Sequence, residues 1–516
     1  MDKLQNSKEK LKSGRLCFWL ILALGIFARA FQFGSIPAGI NQDEAFAAYE
    51  AWSLLKYGVD TAGYHNPVYL TAWGSGMNAL ESYLMMPFIA LFGLEVWAIR
   101  MPQLIVAILS IWVVYLLVRR LVNEKAGLIA MLMLAICPWH ILMSRWGLES
   151  NMAPGFLLFG LYFFVKGLEK PEFLPLSALM YGLSLYAYAT YWIYIPFIIL
   201  FQLIYAIACG KIRFDRYLVL SGVVLAALAT PLLLFLAINN GYMEEIILPF
   251  MSIPKILYMR TSEISFEEKA RKLELIKDIF VEQSDGWIWN SPSKFGLFYF
   301  ISAPFAIFGL CYCIVRIVKC IREKRFCPEV FVLIQLLIAL PQLILVKINV
   351  NKVNILFIPI VILIALGIYF ACSLTFRHVL TAVIGIYLVL FAGFEHYYFT
   401  EYNDECNPHF DYGMEEALEL AMEKGDRVYF EPGTYYPKIL FYTEYPVEQF
   451  REEVDYLFYP SPYLVAVEFG RFSLWYNPHM PDPTGAYVLR TGVDMGVLAE
   501  EGFTLEQFGV YTVAYK

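Results

Sequence analysis

The sequence predicts a polytopic α-helical membrane protein of about eleven transmembrane helices, with a small extracytoplasmic α/β domain at its C-terminus. Three observations lead there. Of 516 residues, 59% are hydrophobic and only 16% charged, whereas soluble domains run about 45–50% apolar and about 25% charged. Apolar runs long enough to cross about 30 Å of hydrocarbon recur along the first 400 residues. Charge is also divided: from Glu401 onward there are 21 acidic and 7 basic residues, against 25 acidic and 32 basic before it. The basic residues stand at span ends rather than in one patch, so membrane lipids are expected partners and nucleic acid is not.

Taken in order, the chain opens with Lys3, Lys8, Lys10, Lys12 and Arg15 ahead of an apolar run at 16–34. No small-residue cleavage site follows, so this reads as an anchor with a cytoplasmic N-terminus. Further spans fall at 100–118, 126–143, 152–168, 173–189, 191–209, 217–237, 295–316, 329–346, 353–372 and 379–398. Residues 78–92 are apolar but short and interrupted by Pro87, which suits an interfacial or re-entrant helix on the outer face. With that helix not crossing, the basic loops at 119–125, 166–170, 211–216 and 316–325 all face the cytoplasm. Counting it as a crossing would put Arg119, Arg120 and the 316–325 cluster outside, against the positive-inside rule.

Four segments then face outward: 34–99, 143–151, 239–294 and the tail. The membrane module is assigned to 1–400, with outer loops 34–99 and 239–294, and the accessory domain to 401–516. In the tail, 411–424 has helical periodicity with Met414, Leu418 and Met422 on one face and ends at Gly425. Residues 426–431, 463–468, 486–490 and 510–515 read as strands. Eight of the nine cysteines precede the tail, so no disulfide framework is expected there.

The outer segments hold the residues that can carry chemistry. Asp43 and Glu44 follow directly on the first span, behind Pro37 and Gly39. An acid pair at a membrane face suits a general base; the plainer reading has Asn41 capping a helix with both acids in its first turn. Arg145 and Glu149, four apart in the second outer turn, form either a simple ion pair or a phosphate-binding cation beside a positioning acid. Arg100, Lys352 and Arg260 belong to an outer basic set that can hold an anionic head group, or that simply snorkels to the interface. The first outer loop adds Asp60, His65, Trp73 and Glu81, and His140 lies on the same side. Tyr188 and Tyr191 crowd the outer ends of two spans, as an aromatic belt or a stacking surface for a sugar. No histidine spacing supports a metal site, so no cofactor is expected.

In chain order the motifs are a Pro-x-Gly-x-x-x-Asp-Glu-Ala loop, Pro67-Val-Tyr-Leu-x-x-Trp73-Gly, Leu91-Phe-Gly93, Arg100-x-Pro102, Ala126-Gly-Leu-Ile-Ala, and Pro138-x-His140 followed by Ser144-Arg145. With them the chain resembles the bacterial polyprenyl-phosphate-sugar-dependent glycosyltransferases of the GT-C superfamily. The nearest group is glycosyltransferase family 39, with the dolichyl-phosphate-mannose protein mannosyltransferases and the aminoarabinose transferase of lipid A. The likeness covers roughly 16–400 and is strongest over 30–195. It implies that Asp43 is the catalytic base, that Glu149 helps shape the site, and that basic residues near the late spans hold the lipid phosphate. Where the family has Arg-Tyr at the start of a late span, this chain has Lys352-Val353.

The implied activity is transfer of a sugar from a polyprenyl-phosphate donor to a hydroxyl of a protein, lipid or cell-envelope glycan, on the outer face of the cytoplasmic membrane. A lipid phosphate leaves readily, so such an enzyme needs a base for the acceptor and cations for the phosphate. Two alternatives belong to other classes. A lipid-linked glycan flippase would want ionisable residues deep in the spans, which are few. A non-catalytic scaffold would bind a surface partner through the acidic tail.

Overall fold

Asn41 and the acids after it start a helix, and the long apolar runs become a bundle beneath it. The computed structural model describes residues 2–259, 269–373, 377–477 and 480–516. Its first half comprises α1 (Asp2–Ala30), α2 (Gln42–Lys56), the strand pair β1 (Tyr69–Leu70) and β2 (Met77–Asn78), α3 (Leu80–Phe92), α4 (Val96–Leu121), α5 (Glu124–Ala135), α6 (Pro138–Leu142), α7 (Glu149–Gly167), α8 (Leu174–Ala187), α9 (Tyr191–Ala208) and α10 (Arg216–Asn239). A second hairpin follows, β3 (Ile246–Leu248) and β4 (Met251–Ile253), then α11 (Lys269–Lys277), α12 (Ser302–Arg322), α13 (Val330–Ala339), α14 (Gln342–Leu345), α15 (Val350–Val353), α16 (Phe357–Ser373) and α17 (Arg377–Thr400).

Among the described residues six helices are long and apolar enough to cross a membrane: Val96–Leu121, Tyr191–Ala208, Arg216–Asn239, Ser302–Arg322, Val350–Ser373 and His378–Thr400. The other expected spans map to α1, to α7 and α8, and to two interrupted pairs. Pro138 begins α6 and divides the 126–143 run; Pro341 divides 329–346 into α13 and α14. The helix α3, with 13 residues, is about 20 Å long, short of the ~30 Å a crossing needs. Leu233, Ile307 and Val389 lie exposed on the outside of α10, α12 and α17, as contact with lipid chains favours. At the centre α16 packs against α12 with backbones in contact. A Cβ on Gly309 would collide with the Leu363 carbonyl, and one on Gly367 with that of Phe305.

The tail contains α18 (Tyr402–Cys406), α19 (Met414–Lys424), β5 (Val428–Phe430), α20 (Tyr436–Thr443), α21 (Val447–Glu453), β6 (Asp455–Tyr456), β7 (Ala466–Phe469), β8 (Phe472–Ser473), β9 (Ala486–Arg490), α22 (Gly496–Glu500), β10 (Thr504–Phe508) and β11 (Tyr511–Tyr515). Its seven strands form one mixed sheet in the order β10-β11-β9-β5-β8-β7-β6. Only the pairings of β5 with β8 and β9 are parallel. The expected strand at 486–490 coincides with β9, buried through its first four residues. The helix begins at Met414 rather than 411, after Gly413 in the left-handed region. The short strands β6 and β8 were not legible, being two residues each, too brief for an alternating pattern.

A hydrophobic core crosses the expected boundary at 400. Phe46, Tyr49 and Trp52 of α2 belong to one buried cluster with Ile439, Leu440 and Phe441 of α20 and with Val428 and Val488 of the sheet. Tyr49 donates to the Tyr445 carbonyl at 2.5 Å, and Ile40 N–H to that of Phe410 at 2.6 Å. The first outer loop and the tail therefore hold each other in place. All nine cysteines are free thiols, and Cys406 is buried.

Candidate active site

Asn41 caps α2. Its Oδ1 accepts from the Asp43 N–H at 3.0 Å, while Glu44 Oε2 accepts from the Asn41 N–H at 3.3 Å, completing a capping box. Glu44 does more than cap. Arg100 Nε reaches its Oε1 at 2.6 Å and Nη2 its Oε2 at 2.9 Å, and the Gly147 N–H donates to Oε1 at 2.7 Å. The remaining guanidinium N–H groups go to the carbonyls of Gly34, Pro37 and Gly39. Both side chains are fully buried. The structure thus places Arg100, expected to bind phosphate, and Glu44, expected to be catalytic, together in a buried clamp, with every Arg100 N–H engaged by Glu44 or by loop carbonyls.

Arg145 is likewise placed inside the protein. It neither pairs with Glu149 nor faces the outside. Nε donates to Ile36 O at 3.2 Å, Nη1 to Ala28 O and Arg29 O, and Nη2 to Phe31 O and Gln32 O at 2.8 and 2.9 Å. Four of the five bonds go to carbonyls at the end of α1 or just past it, where a cation is favoured by the helix dipole, and the fifth to the loop carbonyl of Ile36. Arg29 repeats the device one layer deeper. It donates to Leu134 O and Ala135 O at the end of α5, and to His140 Nδ1 at 2.7 Å. His140 is buried, a partner within the bundle rather than a substrate-facing group.

What remains open to chemistry is acidic. Asp43 is half-buried; the cap at Asn41 uses its backbone N–H and not its carboxylate. Glu149, half-buried at the start of α7, accepts a hydrogen bond from the Asn78 N–H. Between them lies Glu81 of α3, fully buried, accepting from Gln103 Nε2 at 2.9 Å. Burial pushes the Glu81 carboxyl well above its ordinary range, and Glu149, Glu44 and Asp43 all push it further. Acids from three helices, α2, α3 and α7, therefore share one neighbourhood. A Cβ on Gly147 would stand 3.1 Å from Glu44 Cγ and 3.2 Å from Glu81 Oε1. Asp43 also acts on Lys438 of α20, a buried lysine paired with Asp411. The sequence places Glu81 in the first outer loop but gives it no role. Its signal was an acid inside an otherwise apolar stretch, which is costly to keep near a membrane.

Lys352 is placed close by. Its short helix α15 is capped by Asn349, and Asn354 just beyond it donates to Ser150 O at 2.8 Å and accepts from Tyr191 Oη at 3.1 Å. The late-span turn is thereby tied to the residue after Glu149. Tyr188 and Tyr191 are buried, so they form neither a lipid-facing belt nor an open stacking face. Trp73 is buried against Phe46, Tyr435 and Tyr436. Asp60 is a turn residue, its Oδ1 accepting from Ala62 N and Tyr64 N at 3.0 and 2.7 Å. His65, exposed, donates Nδ1–H to Gly58 O at 2.7 Å. Arg260 lies outside the described residues. Among those described, no three His, Cys, Asp or Glu side chains are grouped to hold a metal ion.

Comparison with known proteins adds the following. Residues 80–235 match the family described as dolichyl-phosphate-mannose-protein mannosyltransferase. No curated protein matches the chain. Among solved structures, ArnT from Cupriavidus metallidurans bound to undecaprenyl phosphate superposes with a TM-score of 0.58 at 12% identity, over 97% of each chain. Its apo form gives 0.54 at 12% identity over 98% of each. The oligosaccharyltransferase AglB from Archaeoglobus fulgidus, in complex with an inhibitory peptide and a dolichol-phosphate, gives 0.52 at 12% identity, over 84% of this chain and 64% of that one. The fold is thus shared with the ArnT structures over nearly the whole chain, the tail included.

Proposed function

From a GT-C fold that spans nearly the whole chain, we propose that this protein transfers a sugar from a polyprenyl-phosphate donor to an acceptor hydroxyl on the outer face of the cytoplasmic membrane. Asp43 is the general base. It takes the acceptor proton as that oxygen attacks the anomeric carbon, the bond to the lipid phosphate breaks, and the configuration inverts in a single displacement. Lys352 stabilises the departing phosphate. Glu149 and the buried Glu81 hold the acceptor side in shape. The helices are read as eleven crossings over 1–400, and the 401–516 region as an extracytoplasmic accessory domain. The acceptor belongs to a protein, a lipid or a cell-envelope glycan.

The observation that carries this reading is the convergence of Asp43, Glu81 and Glu149, from three helices of the first two outer segments, next to the α7 end that Asn354 ties to the Lys352 turn. It is supported by the family match over 80–235 and by the undecaprenyl phosphate named in the ArnT structure. The test is direct. Purified chain in nanodiscs, given a panel of polyprenyl-phosphate sugars with a mixed acceptor extract, should release lipid phosphate with at least one of them. Release from none, by a chain that melts cooperatively, sinks the reading.

A further inference from the structure

A cavity of about 300 Å³ lies where the first outer loop, the third outer loop and the tail meet. Its walls include Trp73, Tyr436, Tyr456, Tyr459, Lys255 and Arg451, and among the described residues no acidic side chain lines it. That is notable in a tail region with three acids for each base. Tyr456 and Tyr459 stack with centroids 6.0 Å apart, and Tyr459 is 65% exposed, so an aromatic face is offered to a ligand. The volume suits a sugar unit rather than a lipid chain, being at the lower end for small-molecule sites.

The site is built, not incidental. Trp73 adopts φ 55°, in the left-handed region that a large side chain rarely enters. Backbone from both neighbours holds it there: Leu464 N–H donates to Trp73 O at 2.8 Å and Tyr258 N–H to Gly74 O at 2.9 Å. The Arg451 guanidinium lies directly on Gly63, at φ +94°, where any Cβ would collide with it. Lys255 presents its backbone N–H to the Tyr64 hydroxyl. Neither cationic head makes a hydrogen bond or ion pair among the described residues, although the Arg451 charge acts on the buried Asp60 carboxyl, whereas Lys424, Arg427, Lys438, Arg490 and Lys516 of the tail each pair with an acid.

We infer that this cavity binds an anionic saccharide, its ring against the tyrosines and its carboxylate or phosphate held between Lys255 and Arg451. Naming that saccharide as part of the acceptor rests on the glycosyltransferase reading; its binding does not. The experiment is titration of the full chain in nanodiscs with glucose 1-phosphate, galacturonate, methyl glucoside and inorganic phosphate, followed by calorimetry and by tryptophan fluorescence. Both anionic sugars should bind, and methyl glucoside should bind at least about tenfold more weakly, as for loss of a charge-assisted contact. Arg451→Ala and Lys255→Ala should each weaken the anionic sugars by a similar factor, with Arg451→Lys recovering part. Equal binding of methyl glucoside, unchanged binding by a folded Arg451→Ala, or no binding of either anionic sugar overturns the inference. So does inorganic phosphate binding as tightly as glucose 1-phosphate, which would leave an anion site without sugar recognition. Asp43→Asn should leave this binding intact. A chain that binds the anionic sugars but transfers nothing would therefore fail the proposed activity and not this site.

Discussion

Arg100 and Glu44 form a two-point buried pair, Nε to Oε1 at 2.6 Å and Nη2 to Oε2 at 2.9 Å, with neither side chain exposed. Removing one partner leaves the other charged and buried, which typically costs about 3–5 kcal/mol. Arg100→Ala and Glu44→Gln should therefore lower the melting temperature steeply, and any activity lost should track the folded fraction. A Glu44→Gln chain that melts like wild type yet is inactive would return Glu44 to a direct role.

Asp43 should behave in the opposite way. Because Asn41 takes the Asp43 backbone N–H, Asp43→Asn leaves the helix cap intact. Loss of general-base help is worth about 10²–10⁴-fold in rate, so turnover should fall that far while the thermal melt barely moves. A well-folded Asp43→Asn chain with near wild-type turnover removes Asp43 as the base.

The two outer cations should separate by readout. Arg145→Ala strips five carbonyl partners, four at or just past the end of α1 and one at Ile36, and should be a stability variant, with donor KM unchanged in whatever folds. Lys352→Ala should melt normally and weaken donor use by about 1.5–3 kcal/mol, the range for a hydrogen bond to a charged group. Reversed results, with KM moved by Arg145 and not by Lys352, would exchange their roles.

Acidity should tighten the outer module. Asp60 is held up to about 6 by burial, and Glu50 of α2, also buried, is pushed well above its ordinary range by burial and by Asp60. Between the unfolded carboxylate value and about 6, the folded chain binds more protons than the unfolded one. Stability from these groups is therefore present at low pH and declines as pH rises through about 6. Asp60→Asn should flatten that part of the stability profile, gaining on wild type as pH rises from about 4 to 7. Parallel profiles for the two chains would show that Asp60 titrates alike folded and unfolded.

The sequence by itself determined what depends on composition and on near neighbours. The helix capped by Asn41, the shortness of 78–92 and the strand at 486–490 follow from local periodicity and capping chemistry, and the structure has all three. Tertiary structure alone decided where the charges go. An arginine offers five donors in a rigid fork, and its partners are whichever acceptors the fold brings within 3 Å. For Arg145 those are carbonyls more than a hundred residues earlier, and for Arg100 a carboxylate 56 residues away. No local pattern distinguishes such a clamp from a phosphate site. The same holds for Glu81, whose neighbours arrive from α2 and α7, and for the core that joins the first outer loop to the tail. Burial is a property of packing between distant segments, and it sets Arg145 on the carbonyl end of α1 and Arg100 against Glu44, while Asp43 stays half-buried.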